Sequence, residues 1–137
     1  MPLRTTDRHG EAATAPTEEQ SGASSSTECL DLSIVIVHWN VAHLLAGCIR
    51  SVVAEVERSG LAASVVVVDS ASPDRCYLDI VRAFPGVDLL ELDENRGYAA
   101  GCNAGIRCGS SEAVLLLNPD TELLPGWLRT LWETLRI

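Results

Sequence analysis

The chain has 137 residues, of which 10 are basic, 19 are acidic and 47% are apolar, and its formal net charge is -9. A chain of this length fits one modest domain. Because every basic residue is an arginine, a lysine phosphate clamp and a lysine Schiff base are excluded, and the acidic balance argues against nucleic acid as a partner.

The first 28 residues predict a disordered tail. Their only large apolar side chains are Met1 and Leu3, too few to offset the entropy lost on ordering the segment. The folded domain is therefore expected to cover residues 29–137. It begins with the apolar, β-branched run 32–37, which predicts a strand buried on both faces. A helix is predicted over 41–58, with Asn40 as its N-cap and Gly60 as its stop.

A second strand and helix follow. Residues 65–68 predict another buried strand. Ser72 resembles an N-cap, followed by a proline at the first helical position and an acidic first turn, so a helix is predicted to start there and run to Phe84. The dipeptide Pro85-Gly86 should terminate this helix.

The last part of the chain predicts two further strands, over 87–92 and 113–117. Between them, the glycine-rich segment 97–109 is interpreted as a loop leading into a short helix. A final helix is predicted over 125–137, with one apolar face that contains Trp127 and Trp132.

The fourfold alternation of strands and helices predicts an α/β fold with a mostly parallel sheet and helices on both faces. In such sheets the ligand crevice lies beyond the carboxyl ends of the strands. Each predicted strand ends in a polar cluster, and the four clusters are 38–40, 69–72, 93–95 and 118–120. The alternative is that these are ordinary turns, which also favour Asn, Asp and Ser.

The fourth cluster predicts a metal site. Asn118 and Asp120 follow an apolar strand and are separated by one proline, and their oxygens suit a divalent cation such as Mg²⁺ or Mn²⁺. Such a cation would let an acidic crevice hold a diphosphate. The alternative is a simple turn in which Asp120 caps the next segment.

Two other clusters suggest ligand contacts. Asp69 ends the second predicted strand, where a carboxylate can accept hydrogen bonds from a ribose hydroxyl or a base N–H, although it could also start a turn. Gly97, Gly101 and Gly105 recur every four residues and would share one helical face, with Asn103 between two of them. These glycines permit close approach of a ligand or of another backbone, and structural packing explains them equally well.

The cysteines and the hydropathy pattern bear on location. The five cysteines are odd in number, lack C-x-x-C spacing and mostly lie in apolar patterns, which predicts buried thiols in a reducing compartment. The spacing of His38, His43 and Cys48 matches no common zinc site. No apolar run approaches the roughly 18–20 residues that cross a bilayer, and the first residues lack the apolar core of a signal peptide. A cytoplasmic protein, free or at the inner face of the membrane, is expected.

Four ordered motifs resemble family 2 glycosyltransferases, and within them the rhamnosyltransferase-like branch. The motifs are Ser33-Ile-Val-Ile-Val-His-Trp-Asn40, Val67-Val-Asp-Ser-Ala-Ser72, Asn95-Arg-Gly-Tyr-Ala-Ala-Gly-Cys-Asn-Ala-Gly105 and Leu116-Leu-Asn-Pro-Asp120, followed by Leu124-Pro-Gly-Trp-Leu128. The resemblance implies a Rossmann-like GT-A fold that binds a nucleotide-diphosphate sugar through a divalent metal and transfers the sugar to an acceptor hydroxyl with inversion. It also implies a role in the biosynthesis of cell-surface polysaccharide.

The resemblance assigns roles to residues of this chain. Asp120 takes the position of the metal ligand in the D-x-D motif, and Asp69 that of a nucleotide contact. The other residues expected to contact the nucleotide-diphosphate sugar, the donor of the reaction, are Asn40, Ser70, Asn95, Gly97, Gly101, Asn103 and Asn118. Ser70 stands where the family often has Asn, and Asn118 supplies a neutral oxygen where many members have a carboxylate.

The length of the chain departs from the family pattern. Members continue into an acceptor-binding half that supplies the catalytic base, so we expect that base beyond Ile137 and interpret the chain as a truncated donor-binding half with weak or absent turnover. The face containing Trp127 and Trp132 would then be uncovered and invite self-association. The alternative function is an inactive binding or protein-interaction module.

Overall fold

The computed structural model describes residues 29–137, so the predicted disordered tail lies outside the described residues. Strands and helices alternate through the described part, as expected. The elements are β1 (Leu30–His38), α1 (Ala42–Ser59), β2 (Ala63–Asp69), α2 (Tyr77–Arg82), β3 (Val87–Glu91), α3 (Tyr98–Ile106), β4 (Ser111–Leu117) and α4 (Trp127–Leu135). No helix in this part of the chain is both long and apolar enough to cross a membrane.

The four strands form one sheet in the order β3-β2-β1-β4, and every pair is parallel. This confirms the predicted parallel α/β sheet. β1 lies at the centre, and its Ile34, Val35 and Ile36 are completely buried, because helices cover both faces of the sheet. Since β2 and β4 lie on opposite sides of β1, the strand order reverses there, which places the expected ligand crevice at the carboxyl end of β1.

The two faces of the sheet are packed differently. Helices α1, α2 and α4 contribute side chains such as Ile49, Tyr77 and Leu128 to the larger core on one face. On the other face α3 lies almost directly on the strands. A Cβ on Gly105 would lie 2.3 Å from Val35 Cγ1, and a Cβ on Gly101 would lie 2.6 Å from Val37 Cγ1. Glycine is therefore needed at both positions for this close approach.

Three local predictions about helix starts are wrong. α1 has Val41 as its N-cap without a side-chain hydrogen bond, and α2 begins only at Tyr77. Ser72 does not cap a helix, because its Oγ accepts the Asn40 N–H and so ties two loops together. Asn40 has φ +53°, whereas an N-cap residue has an extended backbone. The glycine-rich segment does not begin with a loop, since α3 starts directly after Gly97.

The cysteine and tryptophan predictions hold only in part. All five cysteines are free, but only Cys48 and Cys102 are buried; those near the ends of elements, Cys29, Cys76 and Cys108, are exposed. The two tryptophans of α4 do not share one uncovered face. Trp132 packs beside β4 and is 7% exposed, whereas Trp127 in the first turn is 39% exposed. A helix that rests on the sheet buries one side only, and Trp132 lies on that side.

Candidate functional site at the carboxyl edge of the sheet

The loops that follow β1 and β2 are fastened to each other at the carboxyl edge. His38 and Asp69 are register partners, and the Ser70 N–H donates to the His38 carbonyl oxygen at 3.0 Å. The Asn40 N–H donates to Ser72 Oγ at 2.8 Å, and the Ser72 N–H donates to the Asp69 carboxylate, at 3.0 Å to Oδ2 and 3.3 Å to Oδ1. Asp69 is 2% exposed. This carboxylate is held in one orientation by its surroundings.

His38 is a buried neighbour of that carboxylate. Its Nε2 lies 3.0 Å from Asp69 Oδ1, but neither ring nitrogen has a partner with hydrogen-bond geometry within the described residues. Burial lowers the pKa of His38, although the charge of Asp69 acts in the opposite direction. His38 is therefore neutral at pH 7.

Tyr77 connects this pair to β3. Its ring meets the His38 ring edge to face, with 5.0 Å between the ring centres, and its hydroxyl donates to Glu91 Oε1 at 2.6 Å. Burial, together with the Glu91 carboxylate, raises the pKa of Tyr77. The hydroxyl is thus a fixed hydrogen-bond donor at physiological pH.

A cavity of about 430 Å³ opens above these groups. Its polar lining includes Asp69, Ser72, Arg75, Glu91 and Asp93. Arg75 already pairs with Glu91 at 2.8 Å, which leaves carboxylates in excess. Such a lining suits the N–H and O–H groups of a nucleoside better than a bare phosphate.

A second cavity of about 400 Å³ lies on the other side of the segment that follows β3, and Leu92 and Asp93 border both cavities. Asn103, Arg96 and Arg107 line it. Asn95 does not line this cavity; its Oδ1 accepts the Gly97 N–H at 2.9 Å. Gly97 has φ +89°, a backbone conformation that favours glycine, so these two residues shape the turn into α3.

The loop after β4 forms the opposite end of the site. Asn118 and Asp120 are both exposed, and the Thr121 N–H donates to the Asn118 carbonyl oxygen at 3.1 Å. Burial raises the pKa of the Cys48 thiol to about 11, and the charges of Asp120 and Glu122 add to the effect. Both carboxylates therefore lie near the first half of α1.

The strand register relates the two ends. His38 is the partner of Asp69, and two residues earlier Ile36 is the partner of Leu117, the residue before Asn118. Parallel strands are about 4.8 Å apart, so roughly 10 Å across the sheet separates the end of β2 from the end of β4. The nucleotide and metal positions predicted from the sequence thus lie at the same edge, on either side of β1.

No group of three His, Cys, Asp or Glu side chains suitable for a metal occurs within residues 29–137. A cage made of protein ligands alone is therefore not present in this part of the chain. A single exposed carboxylate, as at Asp120, fits a hard cation that takes most of its ligands from a diphosphate and water.

Two of the predicted donor contacts lie between the sheet and α3. Ser70 Oγ is buried without a hydrogen-bond partner, and it lies 3.3 Å from where a Cβ on Gly101 would be. Gly101 itself is buried against Val37. Helix packing, the alternative that the sequence left open, accounts for Gly101.

Sequence reasoning missed several members of the site. Tyr77 occupies an apolar helical position, and Glu91 ends a strand with no marked pattern around it, so neither carried a signal. His38 stood within the first polar cluster but was not selected as a contact. Its only signal was a histidine at the end of a mostly apolar strand, which is buried from Leu32 onward.

Comparison with known sequences gives a consistent result. The model of the family described as Glycosyl transferase family 2 matches residues 33–136. The chain is similar to the succinoglycan biosynthesis protein ExoO of Rhizobium meliloti (strain 1021), with 33% identity over 105 residues that cover 75% of this chain and 29% of that protein. A second succinoglycan biosynthesis protein of that organism, ExoU, is 34% identical over 101 residues, or 72% of this chain and 28% of that protein. The chain spans less than a third of the length of either relative.

Solved structures share the fold. S. aureus TarS in complex with UDP-GlcNAc has a TM-score of 0.68 at 19% identity, over 78% of this chain and 31% of that chain. The mannosyltransferase PcManGT of Pyrobaculum calidifontis, in complex with GDP-Man and Mn²⁺, has a TM-score of 0.65 at 24% identity, over 80% and 32% of the two chains. At these identities the likeness establishes the architecture, and the described residues correspond to under a third of either chain.

Proposed function

This chain belongs to glycosyl transferase family 2, and we propose that it binds a nucleotide-diphosphate sugar whose diphosphate is bridged to Asp120 by a divalent cation. Transfer of the sugar to an acceptor hydroxyl with inversion is part of the same proposal. The observation that carries it is the placement of Asp69 and the Asn118–Asp120 loop at one carboxyl edge, on either side of the central strand.

The nucleoside end is assigned to the first cavity. Asp69 and Glu91 present carboxylate oxygens there beside Ser72. A base N–H or a ribose hydroxyl would donate to these acceptors, of which Asp69 is buried and Glu91 is exposed. This assignment is supported by the fixed orientation of Asp69, since a preorganised acceptor loses little entropy on binding.

Neither the cavity beside Asp69 nor the Asn118–Asp120 loop offers an unpaired arginine to a diphosphate. The chain carries a net charge of -9, and the cavity beside Asp69 holds one arginine that is already paired. Asp120, with the neutral oxygen of Asn118 close by in sequence, would hold Mg²⁺ or Mn²⁺ at this position. When bound, such an ion supplies electrostatic stabilisation of the departing diphosphate.

The proposed chemical step is a displacement at the anomeric carbon. An acceptor hydroxyl would attack this carbon from the side opposite the diphosphate and give its proton to a base, and the bond to the leaving oxygen would break as the new bond forms, which inverts the configuration. Asp69 and its neighbours hold the nucleoside still during this step and contribute through orientation. We assign no catalytic base within residues 29–137.

Calorimetric titration tests the proposal. UDP-GlcNAc, GDP-mannose and a dTDP-sugar would each be titrated into the full chain with Mn²⁺, and again with the metal chelated by EDTA. We expect one of the three to bind with an affinity that falls at least tenfold without the metal. Absence of metal-dependent binding by all three would contradict the proposal.

A second function, a protein-interaction module without chemistry, is favoured by the apolar surface beside the Asn118–Asp120 loop. Leu124 is 71% exposed there and Trp127 lies next to it across a small cavity of about 230 Å³. Because Trp132 is buried, pairing of two chains would have to use Trp127 rather than the predicted double-tryptophan face. Sedimentation tests this function: pairing of chains in the wild type that is lost in Trp127→Ala would support it, and a monomeric wild type would argue against it. The cytoplasmic location and the rhamnosyltransferase-like branch remain predictions.

A further inference from the structure

One face of α1 carries a row of polar groups directed at the segment that contains Asp120. Cys48, Ser51 and Glu55 are spaced by three and four residues, so they lie on the same side of the helix. Each of them contacts the backbone between residues 118 and 128. We call these three residues the α1 clamp.

Glu55 is the buried end of the clamp, with 1% exposure. Its Oε1 accepts the Gly126 N–H at 3.0 Å and its Oε2 accepts the Leu128 N–H at 3.1 Å. Gly126 is the N-cap of α4 and, having no side chain, offers no cap of its own. Glu55 therefore caps α4 from a neighbouring helix and satisfies amide groups at its first turn.

The charge state of Glu55 suits this role. Burial alone would raise its pKa, but the hydrogen bonds from Leu128 and Gly126 and the contact with Arg58 together lower the pKa below its ordinary value. The carboxylate is ionised at neutral pH and accepts both amide hydrogens. A negative charge at a helix N-terminus is also favourable for the helix dipole.

Ser51 and Cys48 extend the contacts toward Asp120. Ser51 Oγ accepts the Leu123 N–H at 2.9 Å and donates to the Cys48 carbonyl oxygen at 2.8 Å. The Cys48 thiol lies 3.7 Å from the Asn118 carbonyl oxygen. On the preceding residue, a Cβ on Gly47 would lie 2.7 Å from Glu122 Oε1, so a glycine there leaves room for the Glu122 side chain.

These contacts fix the backbone on both sides of Asp120, at Asn118 and at Leu123, whereas the Asp120 carboxylate has no hydrogen-bond or ion-pair partner within the described residues. We propose that the α1 clamp holds the Asn118–Gly126 segment so that the free carboxylate of Asp120 faces the donor diphosphate. This inference rests on the proposed function. Ser51 and Glu55 are thereby positioning residues, since neither would touch the donor.

Three variants of the full chain test the clamp. Glu55→Ala removes both acceptors of the α4 amides, Glu55→Gln keeps one acceptor and most of the side-chain volume, and Ser51→Ala removes the acceptor of Leu123. Glu57→Ala is the matched control, because Glu57 lies on the same helix and is exposed. The milder Glu55→Gln and Ser51→Ala decide the outcome if Glu55→Ala does not fold.

Amide hydrogen exchange gives the first readout and nucleotide affinity the second. We expect protection at Gly126 and Leu128 to fall about tenfold in Glu55→Gln, and protection at Leu123 to fall similarly in Ser51→Ala. Affinity for UDP, GDP and dTDP would be measured with Mn²⁺ and without it. The metal-dependent affinity should fall about fivefold in both variants, while the metal-free affinity, which reports on the Asp69 end, stays constant.

The outcomes separate the two proposals. Unchanged protection, or equal losses of metal-dependent and metal-free affinity, would overturn the positioning role and leave the proposed function intact. If the wild type binds none of UDP, GDP and dTDP with Mn²⁺, the proposed function fails and the positioning role fails with it. Loss of metal-dependent affinity in Glu57→Ala would equally count against the clamp.

Discussion

The two ends of the site are built in opposite ways. At the proposed nucleoside end Asp69 is almost completely buried, and its carboxylate receives the Ser72 amide beside His38. At the proposed metal end Asp120 is exposed, and α1 contacts the backbone of the residues around it. Under the proposed function, the protein alone would form the nucleoside site, whereas the donor would complete the cation site.

The largest effect is expected at the proposed metal end. Asp120→Asn keeps the shape of the side chain and removes its charge, so we expect Mn²⁺-dependent affinity for UDP or GDP to fall about 100-fold, the loss of roughly 3 kcal/mol from a metal contact. The thermal unfolding midpoint should stay the same because the side chain is exposed. Asp88→Asn, an exposed carboxylate on β3, is the control. A shift in the Tm of Asp120→Asn with unchanged nucleotide affinity would show that Asp120 contributes to stability and not to metal binding.

The next largest effect is expected where α3 packs on the sheet. Gly105→Ala would force a Cβ to within 2.3 Å of Val35, so we expect urea denaturation to show a loss of about 2 kcal/mol in the free energy of unfolding. Gly101→Ala should behave similarly. Gly109→Ala, whose Cβ would lie 3.5 Å from Ser33 Oγ, is the matched control. If Gly101→Ala lowered nucleotide affinity at unchanged stability, Gly101 would be a donor contact after all.

A smaller effect is expected at the proposed nucleoside end itself. Asp69→Asn replaces a charged acceptor by a neutral one, and affinity for the nucleotide should fall about tenfold. Unlike the change at Asp120, this loss should be the same with Mn²⁺ and with EDTA. Calorimetry with Mn²⁺ and with EDTA measures the ratio of wild-type to variant affinity under each condition. A loss confined to the metal-containing titration would show that Asp69 belongs to the cation end.

The smallest effect is a pH dependence of stability at His38. Because burial lowers the pKa of His38 in the folded state, the unfolded chain takes up a proton near pH 6.5 that the folded chain does not. Stability therefore falls as pH decreases from about 6.5 toward the folded pKa, by about 1 kcal/mol over one pH unit. His38→Asn should remove this part of the dependence in urea titrations. An unchanged slope in the variant would mean that His38 is not the group responsible.

The placement of Asp69 and Asp120 could be predicted from the sequence because it depends on a topological rule. Parallel strands joined by helices bring their carboxyl ends to one edge, so residues that end strands are brought together whatever the details of packing. Asn103 was selected in another way, by its position between Gly101 and Gly105, and it lines the second cavity.

Other features depend on contacts that have no local pattern. Glu55 lies on an amphipathic helix, where an acidic residue usually indicates the exposed face, and only the approach of α4 shows why it is buried. Ser72 has the sequence context of an N-cap, but its amide and hydroxyl are used by Asp69 and Asn40. Trp127 and Trp132 were grouped by helical spacing, and the sheet covers only one of them.

The central claim, that a cation joins Asp120 to the donor diphosphate, is tested most directly by paramagnetic broadening of amide resonances. Mn²⁺ added with UDP or GDP should broaden the signals of residues 118–122 most strongly, and the same addition to Asp120→Asn should leave them sharp. Broadening that centres elsewhere, or that is equal in Asp120→Asn and the wild type, would contradict the account.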